Sequence, residues 1–200
     1  TELLVERALL EAHRFHPPVN ILDIGTGSGA IALALATELP AAHITATDRS
    51  PVALMTARAN ARRAGVADRI RFLRADLFPS SGCYDIICAN PPYIPTGLLA
   101  ALPPEVRNEP IAALDGGPDG LDPAREILTR APARLSPGGR LLLEIGAGQA
   151  ETIRLLRIRG LECTEIIPDL SGIERIALYS HVCIHTGELS FPDDRSTIMH

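Results

Sequence analysis

The sequence predicts an α/β protein, one mostly parallel sheet with helices packed on both faces. Two observations carry that expectation. Helical and strand patterns alternate along the chain with no internal repeat or low-complexity stretch, the order that builds parallel sheets from crossover units. The strand segments are short apolar runs, as expected where both faces of a sheet are covered. Two hundred residues suit one domain with a sizeable core.

The elements follow in order. Leu3, Leu4, Ala8, Leu9 and Leu10 recur at helical spacing and predict an amphipathic helix to about Phe15. Val19–Ile24 reads as a strand, then a glycine turn, then a helix from about Ala30 to Leu39. Ile44–Thr47 is a second strand ending at Asp48. Ser50 can cap the next helix with Pro51 at its first position, and that helix runs to about Ala64. Ile70–Arg74 is a third strand ending at Asp76, and Tyr84–Ala89 a fourth. Residues 94–121 form a Pro/Gly-rich loop too long for a plain connection, and loops of that length are usually functional or disordered. A helix from Pro123 to Leu135 follows, stopped by S-P-G-G. Arg140–Ile145 is a fifth strand, Ala150–Arg159 a helix, and Glu162–Ile167 and Ile173–Ser180 two closing strands. The polar stretch 181–200 reads as an irregular tail.

Composition narrows the partners. A net charge of −5 argues against a large nucleic-acid footprint, which needs a basic face. All 19 basic residues are Arg, a pattern of codon bias rather than of heat adaptation, which tends to add Lys. Cys83, Cys88, Cys163 and Cys183 form no C-x-x-C pair, so buried reduced thiols and a reducing, cytoplasmic compartment are expected. No apolar run reaches the roughly 18 residues of a membrane span. His181 and His185 share i,i+4 spacing but lack a third ligand nearby, so no metal is expected.

Two stretches carry the chemistry. Asp23-Ile-Gly25-Thr26-Gly27-Ser28-Gly29 ends the first strand and opens a helix. Glycines there let the backbone turn tightly and approach a ligand at a helix N-terminus. Asp48, 23 residues beyond Gly25, ends the second strand, where a carboxylate can accept ribose hydroxyls. Asp76 ends the third in the same way. The fourth strand runs into Asn90-Pro91-Pro92-Tyr93. Consecutive prolines end a ladder and hold the residue before them extended. The resulting stiff corner presents the Asn90 side chain, the Pro91 carbonyl and the Tyr93 ring together.

With N-P-P-Y, the set resembles the class I S-adenosylmethionine-dependent methyltransferases, whose Rossmann-like sheet has seven strands, the last antiparallel. The N-P-P-Y subset methylates nitrogen on planar conjugated groups. The Asn90 side-chain oxygen and the Pro91 carbonyl would accept the two N–H bonds of such a nitrogen and favour charge build-up on it. V106-R-N-E-P-I-A-A-L-D-G-G-P-D-G-L121, L142-L-E-I-G-A-G-Q149 and D169-L-S-G-I-E-R175 further resemble the protein-(glutamine) methyltransferases of the HemK/PrmC type. Those enzymes act on the Gly-Gly-Gln glutamine of peptide-chain release factors. The resemblance implies that Asp23, Gly25, Thr26, Gly27, Ser28, Gly29 and Asp48 bind the methyl donor, with Asn90 beside them. It places Asp76 and Leu77 at the adenine. Asn90, Pro91, Pro92 and Tyr93 would hold the glutamine, and Glu109 would shape the entry. Glu144, Gln149 and Arg175 read as structural.

The resemblance also implies a catalytic domain over 1–180 and a release factor as partner. Family members carry a small helical docking domain before an R-P-x-T-E segment, of which Thr1-Glu2 is the remnant here, so that domain is expected to be absent. Relatives often have an aromatic where Asn108 stands, and the tail 181–200 has no familiar counterpart. Three other functions compete: an amino methyltransferase acting on a nucleic-acid base or a ribosomal protein glutamine, a non-catalytic donor-binding partner, and an NAD oxidoreductase. The acidic balance disfavours the base, the intact N-P-P-Y disfavours an idle site, and the oxidoreductase leaves the proline corner unexplained.

Overall fold

The structure, a computed structural model, describes residues 1–103 and 110–182. Glu109 and Asn108, together with Cys183, His185 and the rest of the tail beyond Val182, lie outside the described residues. Among the described residues, five α-helices and seven strands follow the expected alternation: α1 Glu2–Ala12, β1 Asn20–Ile24, α2 Ala30–Glu38, β2 His43–Asp48, α3 Pro51–Arg63, β3 Ile70–Arg74, β4 Tyr84–Ala89, α4 Asp122–Arg130, β5 Leu135–Glu144, α5 Ala150–Leu155, β6 Leu161–Pro168 and β7 Glu174–His181. They form one sheet in the order β3-β2-β1-β4-β5-β7-β6. Neighbours from β3 to β5 are parallel, and β7 runs antiparallel to both β5 and β6.

Strand alternation splits the core in two. Ile21, Ile86, Cys88, Leu142 and Leu178 face α1, α2 and α3. Leu22, Ile87, Leu141, Leu143 and Tyr179 face α4 and α5. Helices on both faces leave the strand ends as the open edge. The strand order reverses between β1 and β4, and ligands bind outside the carboxyl ends of strands at such a switch point. The register Ile24↔Ala89 sets the glycine turn beside the proline corner there.

Several boundaries differ from expectation. The first helix stops at Ala12, and its exit tightens through Arg14 N–H to Glu11 O and Phe15 N–H to Ala12 O. The helix expected to reach Leu135 ends at Arg130 and tightens into a 3₁₀ turn at Ala131–Ala133, because Pro132 can donate no helical N–H and crowds the preceding turn. S-P-G-G is no stop; it is a bulge inside β5, where pairing jumps from Tyr84↔Leu135 to Ile86↔Arg140. The helix from Ala150 ends at Leu155, and Leu156 turns extended so that it and Ile158 pack on the second core. His181, expected in the tail, closes β7 opposite Leu161, with its Nδ1 2.9 Å from the Ser136 carbonyl. The long loop carries structure of its own, with 3₁₀ turns at Thr96–Ala101 and Ile111–Ala113 and a parallel bridge between Ile94 and Asp115.

Candidate active site

The glycine turn is built backbone first. Gly25, Gly27 and Gly29 all have positive φ, at 66°, 55° and 91°, where a side chain other than glycine is strained. Thr26 N–H donates to Thr47 O (2.9 Å) and Gly29 N–H to Thr26 O (2.8 Å), so the loop folds over β2 and into α2. Gly29 is the N-cap of α2 and brings no side chain of its own; Asp23 takes the Ala32 N–H, which leaves the N–H groups of Ala30 and Ile31, both residues of the cavity wall, at the helix start.

Asp23 anchors this turn from below. It shares strand parity with Ile21, is fully buried, and its Oδ2 accepts from Thr26 Oγ1 (2.6 Å) and Ala32 N–H (3.2 Å). Oδ1 is buried without a hydrogen-bond partner. Burial pushes its carboxyl up to about 7, against the pull of the Thr26 and Ala32 hydrogen bonds, with Asp48 adding a smaller upward push. Asp23 was expected to touch the donor, but it does not line the cavity above. Asp48 Oδ2 accepts from Gly27 N–H (2.9 Å) and its Oδ1 from Ser50 N–H (2.8 Å), tying the end of β2 to both the turn and α3. Each oxygen keeps a lone pair for a further donor.

A cavity of about 580 Å³ opens above the turn, within the range of small-ligand sites. Gly25, Thr26, Gly27, Ser28, Asn90, Pro91, Pro92 and Tyr93 all line it. Gly29, Asp48, Asp76 and Leu77, also expected at the donor, are not among the residues of its wall. Asp76 is exposed, and Leu77 has a left-handed φ of 62°, held by Thr47 Oγ1 donating to the Leu77 carbonyl at 2.6 Å. A strained non-glycine residue of this kind persists only where its surroundings fix it.

The corner presents two free acceptors. Asn90 Nδ2 donates to Thr1 Oγ1 (3.1 Å), which turns its Oδ1 away from that contact. Among the described residues no donor is bonded to Asn90 Oδ1 or to the Pro91 carbonyl. Behind the corner, Ile94 N–H donates to Leu114 O and Gly116 N–H to Ile94 O, so the long loop buttresses it. Arg49 donates to Ala112 O (3.0 Å), fastening the same loop beside Asp48.

Several residues at the site were missed or misread in the sequence. Ala113 and Leu114 line the cavity, and their signal is invisible in a loop read as irregular. Glu144, expected to be structural, also lines it, with Oε2 3.0 Å from the Thr1 nitrogen. Arg175 does serve structure, through Asp169 in the turn before β7.

Residues 1–98 match the family model described as Methyltransferase small domain. The chain is 50% identical over 182 residues to a protein of Moorella thermoacetica named release factor glutamine methyltransferase, a match covering 89% of this chain and 64% of that protein. It therefore spans less than two thirds of the length of the curated relatives it matches. Among solved structures it resembles TrmN from Thermus thermophilus, with a TM-score of 0.64 and 28% identity over 88% of this chain and 48% of that one. It shares its fold with an RNA methyltransferase from Salinibacter ruber solved in complex with S-adenosyl-L-homocysteine, with a TM-score of 0.55 and 20% identity over 98% of both chains. On the sheet topology and these solved neighbours, the chain has the Rossmann-like fold of the class I S-adenosylmethionine-dependent methyltransferases, and over most of its length it is similar to proteins named release factor glutamine methyltransferase.

Proposed function

We propose that residues 1–182 form the catalytic domain of a protein-glutamine N-methyltransferase, with the Gly-Gly-Gln glutamine of a peptide-chain release factor as substrate. One observation carries this reading. Asn90 and Pro91, consecutive in the chain, line one cavity with the glycine turn, and among the described residues no donor is bonded to Asn90 Oδ1 or to the Pro91 carbonyl. A planar amide nitrogen has two N–H donors to match them.

The donor set fits S-adenosylmethionine. Gly25 has no atom within 4 Å of where a Cβ would stand, so the cradle is open to a ligand at that point. The N–H groups of Ala30 and Ile31 at the start of α2 and the lone pairs of Asp48 offer donors and acceptors to the polar ends of the molecule. When bound, S-adenosylmethionine supplies an electrophilic sulfonium methyl. The chain's own residues do the rest. Asn90 and Pro91 would hold the target nitrogen in line, their oxygens accepting its two N–H bonds and so leaving electron density on nitrogen for the new N–C bond. The positive charge developing there meets two carbonyl dipoles already oriented, and one N–H proton is then lost to solvent. Tyr93 offers a flat face to the target amide. Leu114 gives the cavity wall an apolar patch.

Among the described residues no helix is long and apolar enough to cross a membrane, and a cytoplasmic release factor is the partner this reading names. The test is transfer of labelled methyl from S-adenosylmethionine to unmodified bacterial release factor, with the product peptide mapped by mass spectrometry. One methyl on the Gly-Gly-Gln glutamine is expected. In Asn90→Ala transfer is lost while donor affinity stays, since its contacts matter most in the transition state; in Asp48→Ala donor affinity falls. Equal loss of donor affinity in both variants would undo this division of roles. Methylation of RNA instead of protein would favour the nucleic-acid reading.

A further inference from the structure

We infer that Gln149 is a positioning residue for the target, acting through Tyr93; the inference rests on the function proposed above. Gln149 sits in the turn after β5 and has every group of its carboxamide engaged. Its Oε1 accepts from Gly146 N–H (2.8 Å), and its Nε2 donates to Tyr93 O (3.2 Å) and to Gly120 O (3.0 Å). An amide with a donor on one side and two carbonyls on the other has only one orientation. Gln149 thus pins the last residue of the corner to β5 and to the Gly120 turn at once.

The ring of Tyr93 is seated by the same turn. A Cβ at Gly146 would stand 3.0 Å from Tyr93 Cδ2 and 3.2 Å from Gln149 Oε1, so the ring edge lies on bare backbone. A Cβ at Gly120 would stand 2.3 Å from the Tyr93 carbonyl, so the approach from that side is equally close. Tyr93 is therefore held by its carbonyl and by its ring edge, and the residue lines the cavity. Gln149 itself does not line the cavity. A side chain that only braced the fold would not need to converge on the one residue that packs against the target.

The test compares Gln149→Leu, Gly146→Ala and Tyr93→Ala with the unaltered chain. Gln149→Leu is expected to lower kcat/KM for the release factor by about tenfold to a hundredfold, the scale of a misplacement near 1 Å, with donor affinity unchanged. Gly146→Ala, whose backbone an alanine can adopt, is expected to do the same more mildly by lifting the ring. In a Tyr93→Ala background Gln149→Leu should cost nothing further, because its effect runs through that ring. A full additional loss there would overturn the inference. So would a fall in donor affinity that matches the fall in transfer, which is the mark of a general structural role.

A second readout needs no substrate. The chain has three tyrosines, Tyr84, Tyr93 and Tyr179, so ring resonances of a tyrosine-labelled sample are assigned by single substitution. Gln149→Leu should shift the Tyr93 signals and leave Tyr179, in the second core, in place. Unmoved Tyr93 signals refute the inference whatever the enzyme does. Absent methyl transfer in the unaltered chain with shifted Tyr93 signals would refute the proposed function and leave the seat of Tyr93 standing.

Discussion

Gly25 and Gly29 lie four residues apart in one turn, yet the structure separates what an added methyl would do at each. At Gly29, with φ at 91°, a Cβ would meet Leu33 Cδ1 at 2.7 Å and Ala57 Cβ and Cα at 3.1 and 3.3 Å. Leu33 can swing its terminal carbon aside, but the α3 backbone at Ala57 cannot move without shifting a helix. Left-handed strain of about 1–2 kcal/mol and overpacking of about 1–3 kcal/mol sum to about 2–5 kcal/mol for Gly29→Ala. In a chain of this size that lowers the melting temperature by roughly 4 to 20 °C. At Gly25 nothing lies within 4 Å, so only the strain of about 1–2 kcal/mol applies, and the methyl projects into the cavity. Gly25→Ala should melt within roughly 2 to 8 °C of the unaltered chain and yet lose donor affinity. Thermal unfolding by circular dichroism and donor titration by calorimetry, both on each variant, decide the matter. If Gly25→Ala destabilises more than Gly29→Ala, or if it binds donor normally, the reading of the cradle is wrong.

Two further predictions concern buried charge. Glu11, 2% exposed on α1, lies within ion-pair distance of Arg7 (3.1 Å), Arg14 (2.8 Å) and Arg140 of β5 (3.2 Å), and its Oε2, which faces the last two, accepts no hydrogen bond. Glu11→Ala should cost about 3 kcal/mol, the lower end for stripping a buried pair, and the double change Glu11→Met with Arg140→Leu should recover most of it in chemical denaturation. Asp23, with its carboxyl raised from 3.8 to about 7, binds a proton in the folded state that the unfolded chain releases. Its contribution to stability is fully present below about pH 4 and is lost as pH rises to about 7, a fall of roughly 4 kcal/mol. Asp23→Asn should flatten that fall, measured as the difference between the two unfolding profiles; parallel profiles would show that Asp23 does not titrate in this window.

What was legible in the sequence is what local chemistry controls. Ser50 caps α3 by accepting from Ala53 N–H at 3.3 Å, with Pro51 behind it, and the glycine turn and proline corner fall where their residues force them. Strand parity could have corrected one misreading. Asp23 shares a face with Ile21 and so points under α2 rather than toward a ligand. Pro132 likewise announced the early end of α4. The contacts of Gln149 are of another kind. Its partners lie 56 and 29 positions away, and a side chain's reach to distant carbonyls leaves no period or motif behind. The bulge in β5 and the bridge between Ile94 and Asp115 also answer to the partner strand, not to their own residues.

The pairing of Ile24 with Ala89 has a consequence for reach. The turn that would hold the donor and the corner that would hold the acceptor leave adjacent strands one residue past a shared rung. Neighbouring strands are spaced about 4.8 Å apart by their hydrogen bonds. The distance between the two backbones where they leave the sheet is thus set by peptide geometry, and side chains such as Gln149 adjust only what lies beyond it. The sheet acts as a ruler, and the loops above it are free to vary in what they bring to its edge.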